Sequence, residues 1–139
     1  MSPSPSYGRL ALAAGALLLA LATIAGALGA HALPADWSAQ REHIFAIAVR
    51  YQFYKSLGLL AMGVWLATRN PEALSEARRR TLRRCRDATR ALLGGIVLFS
   101  GSLYALSLQA PPWVGLLTPL GGALMIAAWT VFAVAVWRS

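Results

Sequence analysis

Four stretches of this chain, residues 10–33, 44–67, 91–108 and 114–137, are apolar over the length of a bilayer crossing, and none contains an Asp or Glu. A helix needs about 17 to 25 mainly apolar residues to cross the hydrocarbon core. The chain is therefore expected to be an all-α membrane protein: one integral domain over residues 1–139, a bundle of four transmembrane helices. Composition agrees with this, since 58% of the 139 residues are hydrophobic, only 13% are charged, and the mean hydropathy is +0.56. Soluble domains carry about 25% charged residues. One cysteine excludes the disulfide framework of a small secreted domain.

The net charge of +8 is unevenly spread, because eight of the 13 Lys and Arg residues lie between Arg69 and Arg90. They are Arg69, Arg78, Arg79, Arg80, Arg83, Arg84, Arg86 and Arg90, against Glu72, Glu76 and Asp87. Basic loops stay in the cytoplasm, so residues 68–90 are read as a cytoplasmic loop between helices two and three. Four spans then place both termini inside, in an inner (plasma) membrane. Trp37, Trp65, Trp113 and Trp137 fall near span ends, as interfacial anchors do. The arginines of this loop are expected to meet anionic lipid headgroups or a partner protein rather than nucleic acid. Glu72, Glu76 and Arg80 at four-residue spacing predict a partly helical loop, with Asn70 as cap and Pro71 at its first position. Arg9, the following apolar run and Ala30-His31-Ala32 also resemble a cleavable signal peptide. The run of about 20 residues exceeds the usual 7–15, so a retained span is the reading adopted.

Small residues predict tight packing. Gly15, Ala22, Gly26 and Gly29 share a face of the first span, and small-residue faces let membrane helices approach closely. Thr118-Pro119 predicts that the fourth helix begins at Pro119 with Thr118 as its cap.

Polar residues concentrate in spans two and three. Arg50, Tyr51, Gln52, Tyr54 and Lys55 lie in the second, and Ser100, Ser102 and Tyr104 in the third. They are expected to form a polar intramembrane seam. Arg50 is roughly 9 Å below the outer end of its span and can snorkel. Lys55 is near the centre, where a charge costs at least about 2.5 kcal/mol on insertion scales. It can pair with Ser100, Ser102 or Tyr104, lose its proton, or meet an acid of another subunit, a headgroup or an anionic ligand. A fixed polar clamp and a functional site remain alternatives here. A proton relay would need a chain of acids or histidines, which the apolar stretches lack. His31 and His43 lie at the outer side without a second ligand one turn away, so no metal site is expected within one chain. No cofactor is expected. Cys85, between Arg84 and Arg86, is expected to have a lowered pKa as an inert loop thiol. No nucleophile with a base, phosphate loop or pair of catalytic carboxylates is evident, so an enzyme is not expected.

Four segments carry a family resemblance. Gly26-Ala27-Leu28-Gly29-Ala30-His31-Ala32-Leu33 is similar to a G-A-x-G-A-H-x-L motif. Tyr51-Gln52 through Leu57 resembles a Y-Q-x-x-H-x-L segment. Leu98-Phe99-Ser100-Gly101-Ser102-Leu103-Tyr104 looks like L-F-S-G-S-L-Y, and Thr118-Pro119-Leu120-Gly121-Gly122 with Trp129 looks like a T-P-x-G-G…W close. Together they resemble the domain-of-unknown-function 423 family, small four-helix inner-membrane proteins related to the transmembrane protein 256 type. The resemblance implies membrane location and four helices, with no established activity. Its motif residues include His31, Tyr51, Gln52, Ser100, Ser102 and Tyr104. The family usually has His where this chain has Lys55, which argues against metal or haem binding at that position. The expected function is that of a non-enzymatic accessory or assembly subunit of a larger membrane complex. The alternative is an oligomeric transporter or channel for an anion or small solute, with the seam around Lys55. Either reading requires another membrane protein or further copies of the chain.

Overall fold

The computed structural model describes residues 7–69 and 75–138. Its helices are α1 (Tyr7–His31), α2 (Ala39–Ala67), α3 (Glu76–Ser107) and α4 (Leu117–Trp137), with a 3₁₀ turn at Pro112–Leu116 leading into α4. Among the described residues there is no strand. Three helical segments, Tyr7–His31, Glu76–Ser107 and Pro112–Trp137, are long and apolar enough to cross a membrane. At 29 residues α2 is long enough too, but its polar residues leave it no 18-residue stretch as apolar as those of the other three.

The helices pack in chain order: α1 on α2, α2 on α3, α3 on α4, with α1 only brushing α3. Leu59, Met62, Leu92, Ile96, Met125 and Ala128 form the central core, and Leu66, Leu82, Cys85 and Ala135 a second cluster. Outside it, Leu17, Leu21, Ile24 and Leu28 of α1 and Leu120, Ile126, Val131 and Val134 of α4 are exposed. A soluble monomer rarely shows so much contiguous apolar surface, whereas lipid requires it.

Close approaches set the helix spacing. A Cβ on Gly121 would lie 2.5 Å from the Phe99 backbone nitrogen and 3.0 Å from the Gly95 carbonyl oxygen, so α3 and α4 touch backbone to backbone there. Trp129 of α4 lies over Gly58 of α2, occupying the space a side chain would need. Phe132 meets Trp65 edge-on, with ring centroids 5.6 Å apart.

The helix ends follow local chemistry. Ser38 caps α2 by accepting from the Arg41 N–H at 3.3 Å. Past α3, the Ala110 N–H donates to the Ala105 carbonyl at 2.9 Å and the Gln109 N–H to Leu106 at 3.0 Å. Gln109, at φ 65°, takes the left-handed turn of this helix-ending motif. The Arg41 Nε donates to the Ser107 carbonyl at 2.9 Å, tying the start of α2 to the end of α3.

Three sequence expectations need correction. Residues 76–90 are not a separate, partly helical loop. They are the first half of α3, because Leu82, Cys85, Ala88 and Thr89 form an apolar stripe that is buried while Arg78, Arg79, Arg80, Arg83, Arg84 and Arg90 stay exposed. The expected Asn70 cap, Pro71 start and Glu72 support lie outside the described residues, though Glu76 and Arg80 do approach, at 3.9 Å. Nor does Thr118 cap α4: the helix follows directly from the 3₁₀ turn and starts at Leu117. Pro119 falls in the first turn, where its missing N–H leaves no helix bond unmade.

The third correction is Cys85. Of its two neighbours, Arg84 is exposed and Arg86 stacks on the Tyr7 ring. Cys85 itself is fully buried, packed with Leu66, Leu82 and Ala135 in the second core cluster. Iodoacetamide labelling of the folded protein should therefore be slow and rise on unfolding in denaturant. Rapid labelling of the folded chain would contradict the buried placement.

Candidate functional site

Gln52 is the polar centre of the bundle. Its Nε2 donates to the Leu18 carbonyl of α1 at 2.9 Å, and its Oε1 accepts from the Tyr104 hydroxyl of α3 at 2.8 Å. One buried side chain thus joins three helices. Below it the Ser56 hydroxyl donates to the Gln52 carbonyl at 2.6 Å. Ser102 and Thr118 share a hydrogen bond of 2.7 Å between α3 and α4, and the Ser102 hydroxyl also lies 2.9 Å from the Phe99 carbonyl. Ser100 is buried, and its hydroxyl has no hydrogen-bond partner.

The seam residues therefore divide. Gln52, Ser100 and Ser102 are buried and Tyr104 is half-buried, and of these Gln52, Ser102 and Tyr104 make hydrogen bonds between helices. Arg50, Tyr51 and Tyr54 are exposed and Lys55 is half-buried. Lys55 makes no hydrogen bond to Ser100, Ser102 or Tyr104; Tyr104 pairs with Gln52 and Ser102 with Phe99 and Thr118. The Lys55 ammonium instead sits 5.9 Å from the centre of the Tyr51 ring, which packs against Phe99 at 4.6 Å. Among the described residues it has no acid within ion-pair distance. The clamp role weighed for Lys55 thus belongs to Gln52. Replacing Gln52 with Leu should cost about 1–3 kcal/mol, since it leaves the Tyr104 hydroxyl unpaired. Reversible unfolding in mixed micelles, with Tyr104→Phe in the same background, checks it: the double variant should recover part of the loss.

On the other flank of α2, Arg50 enters a separate space. Gly26, Gly29, Ala30, His31 and Leu33 of α1 and its following turn face Glu42, Phe45, Ala46, Val49 and Arg50 of α2 around a cavity of about 670 Å³. A Cβ on Gly29 would come within 3.0 Å of the Phe45 ring, so glycine sets this wall. Phe45 also packs on Tyr104 at 5.3 Å and Trp37 at 5.9 Å, closing the side toward α3. His31, the last residue of α1, opens onto this cavity. Sequence reading singled out His31 and Arg50 but missed Glu42 and Phe45. The available signal was positional: Glu42, Phe45, Val49 and Arg50 recur at helical spacing opposite Gly26 and Gly29.

The basic half of α3 is a third feature. Arg78, Arg79, Arg80, Arg83 and Arg84 are exposed. The Arg86 guanidinium stacks 3.3 Å from the centre of the Tyr7 ring, and Arg90 lies 4.7 Å from it while meeting Asp87 at 3.4 Å. Arg86 and Arg90 thereby fasten α3 to the start of α1. Among the described residues no three His, Cys, Asp or Glu side chains gather to hold a metal ion.

Comparison with known proteins follows the same motifs. The family profile described as "Protein of unknown function (DUF423)" matches residues 25–122, a range running from the glycines of the α1–α2 cavity to Gly121 and Gly122. A UPF0382 membrane protein of Staphylococcus saprophyticus is 36% identical over 124 residues, covering 89% of this chain and 93% of that protein. The UPF0382 membrane protein YwdK of Bacillus subtilis is 36% identical over 121 residues, covering 87% and 90%. One from Haemophilus influenzae is 32% identical over 114 residues, covering 82% of each chain. No solved structure matches. With three helices fit to cross a bilayer and relatives named as membrane proteins, this chain is a multi-pass membrane protein and belongs to the DUF423 family of unknown function.

Proposed function

We propose that this protein is a non-enzymatic accessory or assembly subunit of a larger membrane complex, docking through the polar flank of α2. In this reading α2 is the fourth span, both termini are cytoplasmic, and the basic half of α3 meets anionic headgroups at the cytoplasmic surface. The carrying observation is Lys55. It lies midway along α2 beside exposed Tyr54, without an acid among the described residues. A charge at that depth needs compensation, and a carboxylate on a partner's transmembrane helix supplies it. The motif residues Gln52, Ser102, Tyr104 and Gly121 are engaged in holding the bundle together, which leaves Tyr54 and Lys55 free for such a contact.

Affinity purification in mild detergent, followed by native mass spectrometry, tests this. A second polypeptide at fixed stoichiometry is the expected result. A homo-oligomer alone would overturn it and favour an anion-conducting assembly, in which Lys55 side chains from several copies line a path. The same open flank of α2 supports that second reading, since cations brought together from several copies would require an anion between them.

A further inference from the structure

The outer cavity between α1 and α2 holds two charges of opposite sign that do not meet. Glu42 and Arg50 both line it, yet neither side chain makes an ion pair or hydrogen bond among the described residues. Eight residues of helix separate them, about 12 Å along the axis, beyond the one-turn spacing at which helical ion pairs form. We infer that this cavity binds a phosphate–ammonium zwitterion of the aminophospholipid headgroup type. The phosphate sits on Arg50, whose planar guanidinium suits phosphate oxygens, with His31 beside it. The ammonium donates to Glu42.

Three features carry the assignment. The volume of about 670 Å³ lies within the range of small-molecule sites, roughly 300–1,000 Å³. The two poles sum to no net charge, matching a zwitterion better than a simple anion. Their order along α2 is also that of a lipid in the outer leaflet: ammonium outermost near the helix start, phosphate deeper, and apolar chains deeper still. This last point rests on the proposed crossing of α2; the pairing of the two poles does not. Phe45, Ala46 and Val49 form an apolar wall for the glycerol and upper chains.

The test uses the full chain in detergent micelles doped with phosphatidylethanolamine, phosphatidylcholine or phosphatidylglycerol, read by native mass spectrometry. The wild type should retain phosphatidylethanolamine about tenfold better than the other two, since a quaternary ammonium cannot donate to Glu42 and a glycerol headgroup has no cation. Glu42→Gln should abolish that preference. Arg50→Gln should weaken retention of all three about tenfold. Neither variant should change thermal unfolding, because neither side chain bonds within the chain. Displacement by soluble glycerophosphoethanolamine would identify a free zwitterion as the ligand, and resistance to it a membrane lipid. Equal retention of all three lipids by the wild type, or wild-type retention in both variants, would overturn the inference. No partner protein is needed, so loss of the docking proposal would leave this result intact.

Discussion

Gly121→Leu should abolish the native α3–α4 packing and lower stability by about 3 kcal/mol or more. Overpacking a core usually costs about 1–3 kcal/mol because side chains can shift. At Gly121 the obstacles are main-chain atoms, the Phe99 nitrogen at 2.5 Å and the Gly95 carbonyl oxygen at 3.0 Å from any Cβ. Relief requires the two helices to part. Parting also breaks the 2.7 Å bond between Ser102 and Thr118, one turn above. The control is Gly101→Ala, where nothing lies within 4 Å of the added carbon. That change should cost nothing and add up to about 1 kcal/mol of stability through helix propensity. Both are measured by reversible unfolding in mixed micelles. Equal losses for the two would mean that α3 and α4 do not cross at Gly95 and Gly121.

Lys55→Leu should leave the isolated protein as stable as before, or slightly more so, and yet cost at least about thirtyfold in partner affinity. The split follows from its surroundings. Within the chain, Lys55 is held only by the Tyr51 ring, at 5.9 Å, a weak restraint compared with removing a cation from the apolar stretch. In the proposed complex, the same substitution would strand the partner's carboxylate. Lys55→Glu should be worse, because it sets two like charges together, whereas Lys55→Arg should retain most binding. Titrating purified partner against each variant reads the affinity, and thermal unfolding of each alone reads the fold. Loss of folding in Lys55→Leu would assign the residue to the bundle instead.

The helices were legible because apolar length is a one-dimensional property. Residues 10–33 and 114–137 needed no tertiary information to be read as helical. The junction before α3 was harder. Arginines on its first three turns outweighed the stripe of Leu82, Cys85, Ala88 and Thr89, so that segment read as a loop although one face of it is core. At the candidate site, residue type marked the right helix and not the right face. Gln52 and Lys55 are three positions apart, and helical spacing placed both on one stripe. Rotation against α1 and α3 then buried Gln52 and left Lys55 half-buried at the edge of the bundle. The partners that decide this, the Leu18 carbonyl and the Tyr104 hydroxyl, are respectively 34 and 52 residues away in sequence. Glu42 was missed because it lies in the first turn of α2, where an acid is ordinarily favoured by the helix dipole.

The most direct measurement of the docking account is site-specific photo-crosslinking in native membranes. A photoreactive residue replaces Tyr54 on the polar flank of α2 or, as control, Leu17 on α1; the two are 64% and 62% exposed. The account predicts a crosslink to a second, different polypeptide from position 54 and only lipid adducts from position 17, with the former lost in Lys55→Leu. Lipid adducts alone from both positions, or the same polypeptide captured equally from both, would contradict it.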